Sequence, residues 1–359
     1  MRVNRCKLGP SLDRHPVGLS FARHQELEKE TLVIASLRLL GTLIIAVASV
    51  LGASGVLAQA SYPNKPIKFI APFPPGGASD VITRLISQKL AESLGQPVTV
   101  ENRGGAAGNI GTEFAAKQPA DGYTLLLGNS ATFATNPNLY KRLPFDPITD
   151  FAPVTLVATA GSILVVHPSV PVNNVAELIA HLKANAGKLN FSSGGNGTPA
   201  HVIGEAFKSL MGVSMTHVPY KGTAPAVADL VAGQVQLCFA DMIPAVPQIR
   251  AGKIRALAVT SAVRSAIFPD LPTLAEANVP VKVGQTWWSM MTPKGTPRPI
   301  IDRLNAEVAK IMKMPDVQER FTSLGVFTAH TTPEGVIERI NADTPEFGRV
   351  LKAAGVEPE

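Results

Sequence analysis

Pro72-Phe73-Pro74-Pro75-Gly76-Gly77-Ala78-Ser79-Asp80 separates two segments of different character. Before it, Ile67 to Ala71 reads as a strand. After it, Val81 to Leu94 reads as a helix, with Ile82, Leu85, Ile86, Leu90 and Leu94 on one face and Arg84, Lys89 and Glu92 on others. The stretch is therefore a strand-to-helix turn. Proline fixes φ, and glycine opens backbone conformations closed to other residues. Glycine also leaves the backbone bare to a ligand. The first N–H groups of a helix lack intrahelical partners, and the helix dipole adds partial positive charge there. Such a junction can hold a carboxylate or phosphate without a cationic side chain. A turn with nothing bound is the alternative at this point.

The pattern recurs along the chain. Val98 to Asn102 reads as a strand leading to Gly104-Gly105-Ala106-Ala107-Gly108-Asn109-Ile110-Gly111 and a helix through Lys117. Tyr123 to Gly128 reads as a strand buried on both faces, ending at Asn129-Ser130. Further on, Leu189 to Ser193 leads through Gly194-Gly195-Asn196-Gly197-Thr198 into a helix near Pro199. Strand and helix patterns alternate, which argues for an α/β protein with mainly parallel sheets. In such sheets ligands bind at the carboxyl ends of the strands.

Apolar runs within Phe151–His167 mark a crossing to a second domain, and Trp287-Trp288-Ser289-Met290-Met291 the return. Helices are expected from Pro299 to Met312 and from Pro333 to Asn341. The organisation expected is 61–160 with 286–359 as domain 1 and 161–285 as domain 2. Two connections between domains give the geometry of a hinge with a cleft.

The first 60 residues carry a secretory pattern. Arg2, Arg5, Lys7, Arg14, Arg23, Lys29 and Arg38 precede an apolar run, Leu39 to Ala58, which ends in the small-x-small sequence Ala58-Gln59-Ala60. Cleavage after Ala60 is expected, over a retained anchor. The length of the charged leader is also consistent with a start further in. Of the 33 basic side chains seven fall in this leader, against four of the 27 acidic ones. The remainder is nearly balanced, so its charge gives no reason to propose nucleic-acid or membrane-surface binding. Only Cys238 follows the leader, which excludes an internal disulfide.

Catalytic machinery is hard to find. His167, His181, His201, His217 and His330 form no metal-ligand spacing, and no metal is expected. Gly128-Asn129-Ser130-Ala131-Thr132 falls short of the Gly-x-Ser-x-Gly elbow by its final glycine. Gly195-Asn196-Gly197-Thr198-Pro199-Ala200 fits a loose dinucleotide fingerprint, but no acidic residue ends the next strand, Met215 to Tyr220. No cofactor is expected. Several neutral, anion-ready turns facing a cleft favour a binding protein.

The chain resembles the Bug, or TctC-like, solute-binding proteins of the tripartite tricarboxylate transport systems. The matching segments run in order from Tyr62-Pro63 onward. They include Pro72 to Asp80, Val100 to Arg103, Asp121 to Leu125, Phe191 to His201, Val218-Pro219-Tyr220-Lys221-Gly222, and Gly252 to Thr260. Arg103-Gly104-Gly105-Ala106-Ala107 departs from the family's usual Pro-Gly-Ala-Gly-Gly type of loop. The resemblance implies a type II periplasmic-binding-protein fold, with two α/β domains closing on a small carboxylate. The carboxylates in question are dicarboxylates, tricarboxylates, amino acids or aromatic acids. By position it implies that Phe73, Gly76, Gly77 and Ala78 line the carboxylate site, while Asp80 braces the helix start. Asn129, Ser130 and Thr132 would offer hydrogen bonds from the third strand end. Gly195, Asn196, Thr198 and His201 would meet the ligand from the second domain, and Tyr220 and Asp241 would set its distal end. At Thr198 a simple helix cap is the alternative role. A monomeric periplasmic receptor serving a membrane permease is expected. A sensory receptor signalling to a membrane kinase is the first alternative. A secreted small-acid enzyme using Ser130, His201 and Asp241 is the second.

Overall fold

The computed structural model describes residues 62–358 apart from 282 and 284. The expected signal segment, 1–60, lies outside the described residues. In chain order the first elements are β1 (Ile67–Ala71), α1 (Ala78–Leu94), β2 (Val98–Asn102), α2 (Asn109–Ala116) and β3 (Thr124–Asn129). Residues Ile82, Ile86, Leu90 and Leu94 of α1 are buried at helical spacing. Gly95, at φ +68°, ends the helix and returns its N–H to the Ala91 carbonyl. β1 pairs in parallel with both β2 and β3, so the carboxyl ends of all three strands lie on one edge.

A π-helical turn, Ala131–Thr135, and the short α3 (Asn136–Leu139) follow β3. The chain then runs into β4 (Phe151–Val166), sixteen residues long. The two apolar runs read in the sequence are thus one continuous strand. After it come α4 (Val175–Ala184), β5 (Asn190–Ser193), α5 (Pro199–Met211), β6 (Thr216–Pro219), α6 (Thr223–Val231), β7 (Leu237–Asp241), α7 (Met242–Arg250) and β8 (Arg255–Val259). The chain returns through β9 (Gln285–Pro293), and closes with α8 (Arg298–Ile311), α9 (Pro315–Ser323), β10 (Phe327–Thr328) and α10 (Pro333–Ala353).

The hydrogen-bonded strand order is β2-β1-β3-β9-β4-β7-β5-β6, with β8 and β10 also pairing with β4. The expectation of mainly parallel sheets needs correcting. The outer ladders β1–β2, β1–β3, β5–β6 and β5–β7 are parallel, but every ladder of β4 and β9 is antiparallel. Two long strands running in opposite directions form the spine, and each end of β4 serves a different sheet. Its first part pairs with β9 and its last part with β7 and β8. Apolar clusters pack along both parts of this spine. One gathers Ile70, Leu126, Phe133, Trp287 and Phe347; another gathers Leu164, Phe191, Phe207 and Phe239.

α10 also departs from expectation, running twelve residues past Asn341 and through Pro345. A proline inside a helix removes one ladder bond and costs about 3 kcal/mol. Phe347 and Leu351, both buried beyond the proline, supply the packing that keeps the helix going. Among the described residues no helix is long and apolar enough to cross a membrane.

Candidate functional site

The turn Pro72–Asp80 is held from behind by Asp80. This carboxylate accepts the Gly76 N–H at 3.0 Å, Arg84 Nε at 2.9 Å and Asn102 Nδ2 at 2.9 Å. Asn102 Nδ2 also donates to the Phe73 carbonyl at 3.0 Å, tying the turn to the end of β2. Burial opposes the charge on Asp80. The hydrogen bonds from Arg84, Gly76 and Asn102 together outweigh it and hold the pKa below the usual carboxylate value. Asp80 therefore braces the helix start, as expected. Gly76 sits at φ +84°, a conformation glycine adopts without strain. Gly77, at φ −84°, is different: any residue can adopt that backbone, and an added Cβ would meet nothing closer than 3.9 Å. Its lack of a side chain keeps space open.

That space is a narrow cavity of about 30 Å³. Four helices of nine or more residues begin at its wall. Gly77 and Ala78 start α1, Thr198 and Pro199 start α5, Gly222 and Thr223 start α6, and Asp241 precedes α7. Four helix starts, each at the positive end of a helix dipole, border one small volume. Asn129 and Trp288 also line it; they are cross-strand partners of β3 and β9. Trp288 Nε1 donates to Ser79 Oγ at 3.1 Å, locking the indole against the start of α1.

The thirteen residues singled out in the sequence fall into three groups. Phe73, Gly77, Ala78, Asn129, Thr198 and Asp241 line this cavity. Gly195, Asn196 and Tyr220 line a second, wider one of about 230 Å³, which also includes Lys221 and the Gly105–Gly108 loop; Phe73 borders both. Gly76, Ser130, Thr132 and His201 line neither. Thr132 is engaged with Asn129: its N–H donates to Asn129 Oδ1 at 3.1 Å, and its Oγ1 accepts the Asn129 N–H at 3.3 Å. Tyr220 donates its hydroxyl hydrogen to Asp229 at 2.7 Å, and burial with that bond pushes its pKa up to about 12.

The second turn, Gly194–His201, has a different support. Thr198 donates to the Gly195 carbonyl at 2.7 Å, rather than capping α5 with its side chain. His201 lies beneath the turn, where its Nδ1 accepts the Gly197 N–H at 3.1 Å. Its ring stacks on His217 at 4.3 Å between centroids, and His217 stacks on Phe191 at 4.8 Å. Burial, and secondarily the charges of His201 and Lys208, push His217 down to about 3, so it is neutral in the folded protein at pH 7. Ser193 Oγ, 2.6 Å from His217 Nε2, accepts the Gly195 N–H and links the stack to the loop.

A serine-hydrolase relay is not assembled from the three residues considered for it. Among the described residues Ser130 Oγ has no hydrogen-bond partner, and Asp241 is bonded to Thr223 at 2.7 Å. Among the described residues no three His, Cys, Asp or Glu side chains are grouped to hold a metal ion. Sequence reasoning missed Trp288, Thr286, Thr223 and the Gly222 turn as wall residues. Period-two alternation along β9 was the available signal, since it places Thr286 and Trp288 on one face.

The fold, two sheets sharing a long antiparallel spine and a cavity ringed by helix starts, is that of a periplasmic solute-binding protein. A family model described as the tripartite tricarboxylate transporter family receptor matches residues 82–356, and the chain belongs to that family. The family is one of periplasmic solute-binding receptors. The protein BugT of Bordetella pertussis is 37% identical over 321 residues, which cover 89% of this chain and 98% of BugT. A solved R. palustris protein with adipate is 36% identical with a TM-score of 0.81, covering 83% of this chain and 100% of its own. MatC from Rhodopseudomonas palustris, solved with bound malate, is 31% identical with a TM-score of 0.77, covering 81% and 100%.

Proposed function

We propose that the chain is an exported receptor that captures a small carboxylate in the narrow cavity and delivers it to a membrane permease of the tripartite tricarboxylate type. The convergence of four helix N-termini on one uncharged-backbone pocket carries this reading. The adipate and malate bound to two relatives support the ligand class.

In this account Gly77 and Ala78 present backbone N–H groups to the carboxylate, and Gly76 shapes the turn that exposes them. Phe73 closes the side of the pocket, and Asn129, held by Thr132 and followed by Ser130, adds a side-chain hydrogen bond. Thr198 and the start of α5 meet the acid from the opposite wall, with His201 supporting that turn from below. Asp241 faces the distal end, and Gly195, Asn196 and Tyr220 shape the adjoining cavity. Residues 61–160 with 286–359 form one closing half and 161–285 the other, with β4 and β9 as the connections that flex. Closure follows because the acid binds both walls at once only in the closed state. The receptor acts as a monomer in the periplasm after cleavage behind Ala60.

A thermal-shift panel of small carboxylates on the purified mature protein tests the reading. At least one acid should raise the melting temperature in proportion to the logarithm of its concentration above Kd. No response to any di- or tricarboxylate, amino acid or aromatic acid overturns it.

A further inference from the structure

Residues 161–285 meet residues 61–160 through two bare glycines near the narrow cavity. Thr198 lines that cavity, but its neighbour Gly197 lines neither of the two described above. At φ +84°, a Cβ added to Gly197 would stand 2.3 Å from Asn136 Oδ1 and 2.9 Å from Leu139 Cδ2. Gly222 repeats the arrangement, since a Cβ there would stand 3.0 Å from Pro74 Cδ. Both glycines belong to the second half, and the side chains against them to the first.

Both sides of the Gly197 contact are tied down. The Gly197 N–H is donated to His201 Nδ1 at 3.1 Å, which fixes the turn from the second half. Asn136 is fully buried, and its Nδ2 donates to Asn109 Oδ1 at 2.6 Å, which fixes the amide from the first. Leu139 offers only the end of a flexible side chain. Among the described residues nothing donates to Asn136 Oδ1. The contact of Asn136 with Gly197 is therefore one of shape, with no hydrogen bond to break when it parts. Added volume is poorly tolerated in a contact of this kind.

We propose that Gly197 is a closure socket: its missing side chain admits the Asn136 amide as the cleft shuts, so the size of residue 197 sets how far the receptor closes and how tightly it holds an acid that this residue does not touch. The proposal rests on the closing-receptor reading above and deepens it. An acid that binds best to the shut form loses affinity by whatever penalty falls on shutting.

Gly197→Ala tests the socket because two effects of the methyl group separate. The strain of an alanine at positive φ is present in the open and shut forms alike, so it lowers the melting temperature and cancels from binding. The collision with Asn136 exists only in the shut form, so it lowers affinity. The probe is whichever of succinate, adipate, citrate, aspartate, glutamate and benzoate gives the largest thermal shift with the mature protein. Calorimetry should show Gly197→Ala binding it about tenfold to a hundredfold more weakly than wild type, the scale of a methyl group forced into a packed contact. Small-angle scattering should show the wild type contracting on addition of the acid and the variant contracting less.

Adding Asn136→Ala to Gly197→Ala should bring affinity back to within about threefold of Asn136→Ala alone. Damage confined to the turn would not be relieved by a change on the opposite half. If Gly197→Ala does not fold, Asn136→Gln lengthens the same contact from the first half and should show the same loss. Unchanged affinity in the variant that folds, or a loss that Asn136→Ala does not relieve, overturns the socket alone. A wild-type protein that binds none of the six acids, or binds one without contracting, overturns the closing-receptor reading and the socket with it.

Discussion

The turns Pro72–Asp80 and Gly194–His201 have the same plan, a strand end, a glycine-rich bend and a helix start, but are held in place by opposite means. Behind the first stands a charged brace. Asp80 gathers Gly76, Arg84 and Asn102, and Arg84 remains 55% exposed. Behind the second stands an aromatic stack, Phe191 on His217 on His201, linked to the backbone through Ser193 and Gly197. The local motif thus specifies what faces the cavity, while the surrounding packing specifies what keeps it rigid. Two turns that present similar backbone donors should therefore fail under different conditions.

The largest expected effect lies on the cavity side of the first turn. Gly77→Val requires no forbidden backbone conformation and fills the space in front of α1. Carboxylate affinity should fall by about a hundredfold or more, as expected when several hydrogen bonds to one anion are blocked together. Chemical denaturation should show stability within about 0.5 kcal/mol of wild type. Retained affinity would show that the first turn is not the anion site.

Removing the brace should do the reverse. Asp80→Ala leaves the Gly76 N–H and the Asn102 amide without their shared acceptor. It should cost about 1–2 kcal/mol in urea denaturation, the scale of removing hydrogen bonds to a charged acceptor from partly exposed donors. A loss below about 0.5 kcal/mol would remove the distinction between the turns.

The two supports should also part company with pH. The folded pKa of His217, about 3, lies below its ordinary 6.5. Between these values the unfolded chain binds the additional proton, so stability rises with pH through that window and is complete above about 6.5. Asp80 is depressed from its ordinary 3.8. Its contribution is complete above that value and is lost as pH falls through the lower folded pKa. Melting temperature should thus begin to fall near pH 6.5, and His217→Gln should flatten the decline between pH 6.5 and 4. An unchanged profile would mean that the imidazole stack does not couple to folding.

The smallest effect concerns the loop beside the second cavity. Ala106 and Ala107 sit at φ +45° and +50°, where a Cβ is strained. Ala107→Gly should raise stability by about 0.5–1 kcal/mol. Destabilisation would mean that the methyl group of the buried Ala107 contributes more by packing than it costs in strain.

Much of this architecture was legible because its signals are local. Pro72–Asp80 and Gly194–His201 announce themselves by glycine and proline between two periodic patterns, and the helix start follows within a few residues. The brace at Asp80 was expected from the family resemblance by position rather than from the local pattern. Thr286, Trp288 and Thr223 were not legible, because their place in the wall depends on β9 pairing with β3 and β4 and on α6 starting beside α1. Neither follows from neighbours in sequence. The antiparallel spine escaped for a related reason, since an apolar run such as Phe151–Val166 reads alike in either direction. The end of α10 was misplaced because the proline signal at Pro345 is local, whereas the burial of Phe347 and Leu351 that overrides it is tertiary. The departure at Arg103–Ala107 did mark an unusual loop, one that places two alanines in the left-handed region.

Backbone donors at the start of α1 are proposed to hold a carboxylate inside the narrow cavity. A crystal structure of the mature protein with the tightest-binding acid tests it most directly. One carboxylate is expected with its oxygens about 2.7–3.2 Å from N–H groups within Gly77–Ser79, and the distal end of the acid toward Asp241. An acid seated instead in the wider cavity beside Lys221, with no oxygen in reach of α1, would contradict it.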